Sequence, residues 1–291
     1  MNRSLVLNSA KEVGLVAIVA LTIMSCGQNT TEKPTEKLAE EADTVQQVNE
    51  PAVVRQSIPF SGTFTQINNM GSIDVEYSVG EYCIEAEGPA ELVKLVKVTV
   101  DSGTLTVTYN YDNNPDINVF KRSGASVKVY VKAPFLRIVS TCGTGSFHSK
   151  GKMEAEEFMA GTLATGNIQF DTLVCHGPFR YESKNVGQGS FKCLVTEQKA
   201  DFINEGTGSI EVASLMAKGD VLVNHNGQST TKIHGTAPSV EVWSFEQGNV
   251  SLDMDVDDLT IKAFDQSDVQ FKGTYKSKTL KQDESARITI E

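Results

Sequence analysis

The chain has 291 residues, of which 40% are hydrophobic and 22% are charged, a balance typical of a folded globular protein rather than a disordered or collagen-like one. Acidic residues outnumber basic ones by 37 to 26, which gives a formal net charge of −11 at pH 7. Because nucleic-acid phosphates repel so acidic a chain, the composition argues against DNA and RNA as partners.

The first predicted element is a signal peptide over residues 1–25. Arg3 and Lys11 precede an apolar run at 13–24, VGLVAIVALTIM, which is too short to cross ~30 Å of hydrocarbon as a helix. The stretch IMSC at 23–26 resembles the lipobox of bacterial lipoproteins. This resemblance implies cleavage before Cys26, acylation of Cys26 (with palmitate among the chains) and a membrane anchor. We therefore expect an outer-membrane lipoprotein that faces either the cell surface or the periplasm. The alternative is a plain secretory signal.

A flexible, acidic linker is predicted over residues 26–57, because this segment is polar and contains few side chains that could form a core. A single domain is predicted over residues 58–291. Alternating apolar and polar residues predict strands at 72–79, 104–111 and 127–133. A short helix or turn is predicted over Ala90–Lys94.

A repeat with a period near 20 residues dominates the rest of the chain. Its glycines are aligned at 145, 166, 189, 208 and 248, with Gln228 and Ser267 at the missing places. A small polar residue and an apolar-x-apolar strand follow each position, and a second strand lies before the next. This pattern predicts an all-β, single-domain parallel β-solenoid, in which glycine adopts the positive φ of a sharp corner. A β-sandwich is the alternative.

Three segments and the glycine repeats together resemble a known family. The segments are FTQINNMGSIDVEYSVGEYCIEAEG at 64–88, VTVDSGTLTVTY at 98–109 and VKVYVKAPFLRIVSTCGTGS at 127–146. They are similar to the putative auto-transporter adhesin head GIN domain, which occurs in lipoproteins of the Bacteroidetes. The resemblance runs from about residue 58 to residue 290. It implies a right-handed parallel β-helix with an adhesin-like role and no catalytic motif.

The alignment predicts which side chains point outward. In the first strand column these are His148, Gln169, Lys192, Glu211, Thr231, Ser251 and Gln270. In the second column they are Arg180, Asp201, Leu222, Glu241 and Thr260, with Glu182, Ile203, Asn224, Trp243 and Lys262 beside them. Opposite charges alternate between coils, so we expect no enzyme. Two acids gathered with Arg or Lys in one groove would instead favour a polysaccharide-active enzyme.

Neither a metal site nor a cofactor is predicted. The aspartates at 253, 255, 257 and 258 suit a solvated strand end, with a Ca²⁺ site as the alternative. The four histidines are not spaced as ligand pairs. Cysteines 83, 142, 175 and 193 are expected to be free thiols, with one disulfide as the alternative. Cys193 is expected to be buried in a column with Phe170 and Val212.

Ile203, Leu222 and Trp243 are apolar side chains on predicted outward positions, and they form the candidate binding face. The alternatives are a covering loop or a register that is wrong by one residue. The expected function is therefore an adhesin-like, non-catalytic module that binds a protein or a glycan. A periplasm-facing scaffold or sensor partner is the second hypothesis, and a polysaccharide-active enzyme is the third. A homo-oligomer is a further expectation, because the ends of a solenoid expose unpaired strands.

Overall fold

A computed structural model of the chain describes residues 52–111 and 126–291. The predicted signal peptide, Cys26 and most of the predicted linker lie outside the described residues. The described strands are β1 Val53–Ser57, β2 Gln66–Asn69, β3 Asp74–Val79, β4 Cys83–Pro89, β5 Val96–Asp101, β6 Thr104–Tyr109, β7 Lys128–Ala133, β8 Ile138–Thr141, β9 Phe147–Ala155, β10 Phe158–Thr162, β11 Asn167–Cys175, β12 Phe179–Asn185, β13 Gln188–Thr196, β14 Ala200–Gly206, β15 Ser209–Ala217, β16 Val221–Gly227, β17 Thr230–Phe245, β18 Asn249–Ala263, β19 Asp268–Lys272, β20 Ser277–Gln282 and β21 Arg287–Ile290. A single turn of helix, α1 at Ala90–Val93, confirms the helix predicted there.

Stacked parallel coils form a β-solenoid of about 7 turns. From β8 onward, every strand pairs in parallel with the equivalent strand of the neighbouring coil. In the described residues, antiparallel pairing is confined to the N-terminal part, where β1 pairs with β4, β4 with β7, and β5 with β6. The predicted solenoid is confirmed, and the β-sandwich alternative is wrong. Strand β1 lies ahead of Ile58, where the domain is predicted to begin.

Each coil has three faces, which the coil of β11 and β12 illustrates. Face 1 is residues 167–170, face 2 is residues 173–175, and face 3 is residues 179–185. Buried and exposed side chains alternate along every face. The alternation breaks at Asp171 and Thr172, which are both partly exposed, because the chain turns a corner there. We number the corners in chain order: the first joins faces 1 and 2, the second joins faces 2 and 3, and the third leads to the next coil.

The coils have two lengths. Phe147, Ile168, Gly189, Ile210 and Thr231 occupy one position in successive coils and are 21 residues apart. Thr231, Val250, Val269 and Ile288 continue the same row but are 19 residues apart. We call the two groups long coils and short coils. The predicted period near 20 was an average of these two lengths.

This register corrects three predictions on face 1. The third-corner position falls at Gly187 and Ser229, not at Gly189 and Gln228. Thr231 is therefore fully buried, and Lys232 takes the outward place beside Glu211. Cys193 pairs with Thr172 and is only half-buried, whereas Cys175 is the buried thiol. Lys192 does not face Glu211; its Nζ lies 2.6 Å from Oδ1 of Asp171.

The prediction that the repeat glycines adopt a positive φ was wrong. A Cβ on Gly208 would lie 2.1 Å from the carbonyl oxygen of Gly187, so glycine is needed because the coils approach closely. The positive φ falls two residues before the third-corner position in five successive coils. The residues that adopt it are Asn185, Gly206, Gly227, Glu246 and Asp265.

Aromatic side chains fill the interior of the long coils. The buried phenylalanines are Phe147, Phe158, Phe170, Phe179, Phe191 and Phe202. The rings of Phe170 and Phe191 stack with centroids 5.3 Å apart and planes 6° apart, and Phe179 meets Phe191 edge-on at 5.5 Å. Stacked and edge-to-face pairs add to the hydrophobic effect, so this column is the strongest part of the core.

A row of polar side chains also points inward, at the end of face 3. Its members are Thr141, Thr162, Ser183, Asn204, His225 and Ser244. Several bond to the third corner: Ser183 Oγ donates to the carbonyl oxygen of Gly187 at 2.9 Å. His225 lies 2.7 Å from Ser229 Oγ and 3.1 Å from Thr231 Oγ1, and burial lowers the pKa of His225 to about 4. These bonds satisfy polar groups at the corner that water cannot reach.

Candidate binding groove

The predicted binding face lies on face 3, where the predicted outward register is confirmed. One outward row is Ile138, Met159, Arg180, Asp201, Leu222, Glu241 and Thr260. The row beside it is Gly161, Glu182, Ile203, Asn224, Trp243 and Lys262. The inward apolar positions along these strands set the register correctly, although Ile203 is buried at its outward position.

Trp243 is held by its neighbours rather than standing free on this face. Its Nε1 donates to Oε1 of Glu241 at 2.9 Å, and Lys262 Nζ lies 3.9 Å from the centre of its rings. Lys262 also pairs with Glu241 at 2.7 Å and holds the pKa of that carboxyl below its usual range. One face of the indole is therefore already covered by a cation.

Ile203 and Leu222 add less apolar surface than predicted. Ile203 is only 8% exposed, and Leu222 is half-buried between Asp201 and Glu241. Asn224 separates Ile203 from Trp243 in their row. The binding role of these three residues stays a prediction.

A deeper concave surface lies at the second corner of the long coils. Three adjoining cavities of about 320, 470 and 290 Å³ open there, and neighbouring cavities share lining residues. We call this surface the corner groove; its principal lining residues are Phe135, Arg137, Glu157, Met159, Pro178 and Arg180. Phe135 is 44% exposed and Met159 is 40% exposed. Large apolar side chains thus meet solvent in a hollow between coils.

Charged side chains are sorted between the two walls of the groove. On the face 3 wall, Arg137 pairs with Glu157, and Arg180 lies 3.5 Å from Glu182. On the face 2 wall, His176 lies 3.5 Å from Glu154 and 3.6 Å from Glu197. The Lys218 ammonium holds the pKa of the Glu197 carboxyl below its usual range. The face 3 wall is therefore the more basic one and the face 2 wall the more acidic.

The groove meets the condition that favoured an enzyme, because Glu157 and Asp201 lie there with Arg137 and Arg180. A glycosidase also needs a carboxylic acid that keeps its proton near neutral pH. Where the surroundings shift a carboxyl pKa beside the groove, as at Glu154, Glu182 and Glu197, paired cations lower it. These three groups stay ionised and suit electrostatic binding rather than proton donation.

The aspartates of β18 bond to neighbouring coils. Asp255 accepts from Thr274 Oγ1 at 2.7 Å, Asp257 pairs with Lys276 at 2.7 Å, and Asp253 lies 3.3 Å from His234. Across residues 52–111 and 126–291, no three His, Cys, Asp or Glu side chains converge as metal ligands. The same ranges contain no helix of the length and apolarity needed to cross a membrane.

The sequence analysis did not find the groove. Phe135, Arg137 and Pro178 lie between strands, where period-2 alternation says nothing about direction. One signal was available: the stretches APFLR at 133–137 and CHGPFR at 175–180 each place a proline and an aromatic residue beside an arginine. Seeing that they meet requires the coil register, which sets Ile138 beside Met159 and Met159 beside Arg180.

Comparison with protein families identifies the fold and the family together. Residues 63–242, more than half of the chain, match the family described as putative auto-transporter adhesin, head GIN domain. The chain belongs to this family. The match confirms the resemblance seen in the sequence and covers both the corner groove and face 3 as far as β17.

Solved structures show the same fold at low sequence identity. A putative adhesin from Parabacteroides merdae is 16% identical, with 84% of this chain and 97% of that chain covered and a TM-score of 0.69. A putative adhesin from Bacteroides fragilis is 19% identical, with 83% and 98% covered and a TM-score of 0.60. A putative lipid binding protein from Parabacteroides distasonis is 16% identical, with 82% and 97% covered and a TM-score of 0.58. The comparison with curated proteins gave no match.

Proposed function

We propose that this protein is a non-catalytic binding module of the cell envelope, anchored by lipid at Cys26, whose binding site is the corner groove. The observation that carries the proposal is the groove itself: a hollow with exposed Phe135 and Met159 at its surface and with one wall more basic than the other. Concave sites with apolar linings and a few placed polar groups are the usual form of ligand sites. The family supports the adhesin-like role.

The binding surface continues from the groove along face 3. Arg180 and Asp201 lie in the groove, and the next residue of their row is Leu222. The predicted face at Ile203, Leu222 and Trp243 would then contact the outer part of a large ligand. Charges on a rigid sheet are placed in advance, so binding costs little ordering entropy.

The predicted linker at residues 26–57 would hold this surface away from the membrane. A coil of the ~30 residues that follow Cys26 would span roughly 30 Å, from 5–6 Å times the square root of the residue number. We expect the wild-type protein to sediment with membranes and the Cys26→Ser variant to be released. If the Cys26→Ser variant stays with the membrane, the lipid anchor at this residue is wrong.

Exposure at the cell surface separates the two envelope roles. Intact cells would be treated with a protease, and the β domain followed by immunoblotting beside a periplasmic control protein. Loss of the β-domain band while the control survives would support an adhesin. A protected band would instead place the binding partner in the periplasm and favour the scaffold or sensor role.

Binding itself is tested on an array of glycans and extracellular proteins probed with the mature protein, residues 26–291. We expect signals that disappear in the double variant Phe135→Ala/Arg180→Gln and persist in Arg287→Gln, a variant of an exposed arginine of β21 outside the groove. All three altered side chains lie at the surface, so the variants should fold. Signals that survive in the double variant would show that the groove is not the binding site.

A further inference from the structure

We propose that the corner groove binds a carboxylate-bearing oligosaccharide, with the carboxylate at Arg137 and Arg180 and a sugar ring against Phe135. This inference rests on the proposed function, because it names the ligand class of the same groove. The alternative occupants, a neutral glycan and a protein segment, are distinguished by the experiment below.

The basic wall provides the recognition of the carboxylate. The side chains of Arg137, Arg180 and Lys199 are 53%, 42% and 56% exposed and line the same cavity. One terminal nitrogen of Arg180 lies 3.5 Å from Glu182, and this single long contact leaves most of the five N–H donors of the guanidinium group available to a ligand. A guanidinium group binds a carboxylate through two parallel hydrogen bonds, which lysine cannot match.

The apolar surface provides a place for a sugar ring. Phe135 keeps 44% of its surface exposed although it lies in a hollow between coils. Sugar rings have apolar C–H faces, and an exposed aromatic ring that covers such a face loses contact with water. Met159, on the other side of Arg137, extends the apolar surface toward face 3.

The opposite wall suits hydroxyl groups rather than further negative charge. Glu156, His176 and Gln198 line the larger cavity beside Phe135. These side chains can accept hydrogen bonds from hydroxyls and donate hydrogen bonds to them, while Glu156 and its neighbour Glu154 disfavour a carboxylate placed against this wall. The ligand that fits carries a negative charge on one side and neutral hydroxyls on the other. Acidic oligosaccharides have this chemistry.

The size of the groove favours several sugar units. It crosses the beginnings of four face 3 strands, β8, β10, β12 and β14. With coils ~4.8 Å apart, that distance is roughly 14 Å. A single carboxylate ion would leave most of the surface unused, whereas a chain of sugars can follow it.

The test is a titration of the mature protein with two probes that share one sugar chain: tetragalacturonic acid, whose carboxylates are charged, and its fully methyl-esterified form, whose carboxyls are neutral esters. We expect the acid to bind at least tenfold more tightly than the ester. Arg180→Gln and Arg137→Gln should each weaken binding of the acid by about tenfold and leave binding of the ester unchanged, as expected for a hydrogen bond to a charged group. Phe135→Ala should weaken the binding of both probes by a similar factor. Arg287→Gln, an exposed arginine of β21 outside the groove, is the matched control.

Each other outcome overturns the inference in a recognisable way. Equal affinity for the acid and the ester would show that the charge is not recognised. Affinity for the acid that is unchanged in Arg180→Gln and Phe135→Ala would place the sugar elsewhere. Binding of neither probe would remove the acidic sugar as ligand. In that case the array experiment still tests the proposed function. An array signal from a protein that is lost in Phe135→Ala/Arg180→Gln would show that the groove is the binding site and that its ligand is a protein.

Discussion

The long coils and the short coils share one cross-section but differ in what they can do. In the long coils the chain breaks at the second corner between separate strands, such as β15 and β16. In the short coils, β17 and β18 run through the corners as continuous strands of 16 and 15 residues. The corner groove lies wholly on coils with the 21-residue spacing. The coils that form the hollow are therefore two residues longer than the coils whose strands run through the corner without a break.

The two extra residues can be located. Val212 and Leu215 align with Ile233 and Gly235, so one residue is lost at the first corner. Met216 aligns with Thr236, and Val221 aligns with Val240, so the second of the two residues is lost between these positions, at the second corner. The strand segments between the corners keep their length, because each must span its face. Only the corners can vary without disturbing the pairing.

The aromatic interior of the long coils predicts the largest difference between the two regions. Phe191→Ala removes a ring stacked on Phe170 and should lower the free energy of unfolding by about 4 kcal/mol. Val250→Ala in a short coil removes two methyl groups and should cost roughly 2 kcal/mol. Urea denaturation of both variants measures the difference. Equal costs would contradict the claim that the aromatic column is the strongest part of the core.

The inward polar row predicts a dependence on pH. In the unfolded chain His225 gains a proton near pH 6.5, whereas in the folded protein it does so only near pH 4. The free energy of unfolding should therefore fall as the pH is lowered through this window, by roughly 3 kcal/mol in total. Replacing His225 by Gln should remove this part of the pH dependence. His234→Gln, at an exposed histidine, should leave it in place. An unchanged profile in His225→Gln would show that the buried imidazole is not the cause.

Gly189 tests how closely the long coils are packed. A Cβ at this position would lie 2.2 Å from Cζ of the buried Tyr181. Gly189→Ala should lower the free energy of unfolding by about 2 kcal/mol, as overpacking commonly does. Gly80→Ala is the matched control, because its new Cβ would meet only the Lys132 side chain at 3.4 Å or more. We expect the control to change stability by less than about 0.5 kcal/mol. A similar loss in both variants would contradict the packing argument.

The smallest expected effect lies at the third corner of a short coil. Glu246 has a φ of 59°, where the equivalent position in two long coils is Gly206 or Gly227. Glu246→Gly should relieve this strain and, after the entropy cost of glycine, raise the free energy of unfolding by about 0.5 kcal/mol. Asp265 has a φ of 57° as well, but its Oδ2 accepts a hydrogen bond from the Glu246 backbone N–H at 3.2 Å, so Asp265→Gly should lose that bond and bring no gain. Destabilisation by Glu246→Gly would mean that the Glu246 side chain itself supports the corner.

The sequence predicted face 3 better than face 1 for a physical reason. The face 3 strands keep one alternation apart from the buried Ile203, so Arg180, Leu222 and Trp243 lie at outward positions as expected. On face 1 the marker was glycine, and glycine occurs for two causes. Gly187 is needed where coils touch, whereas Gly189 makes room for Tyr181. Ser229 takes the corner position two coils after Gly187, so the glycine marker is missing there and the register could not be read from glycine alone.

The corner groove was beyond sequence reasoning, because it depends on how unlike corners stack. Phe135 and Pro178 are far apart in sequence and become neighbours only through the 21-residue register. Burial does not mark them either, since both are exposed. Periodicity describes the strands, and this site is formed by the residues between them.

Hydrogen exchange with and without bound tetragalacturonic acid locates the binding site on the molecule. We expect slower exchange in peptides that cover residues 135–138, 157–159 and 177–180, and unchanged exchange in the short coils after residue 249. Protection confined to residues 222–243, or spread over the short coils, would contradict the claim that the corner groove is where this protein binds its ligand.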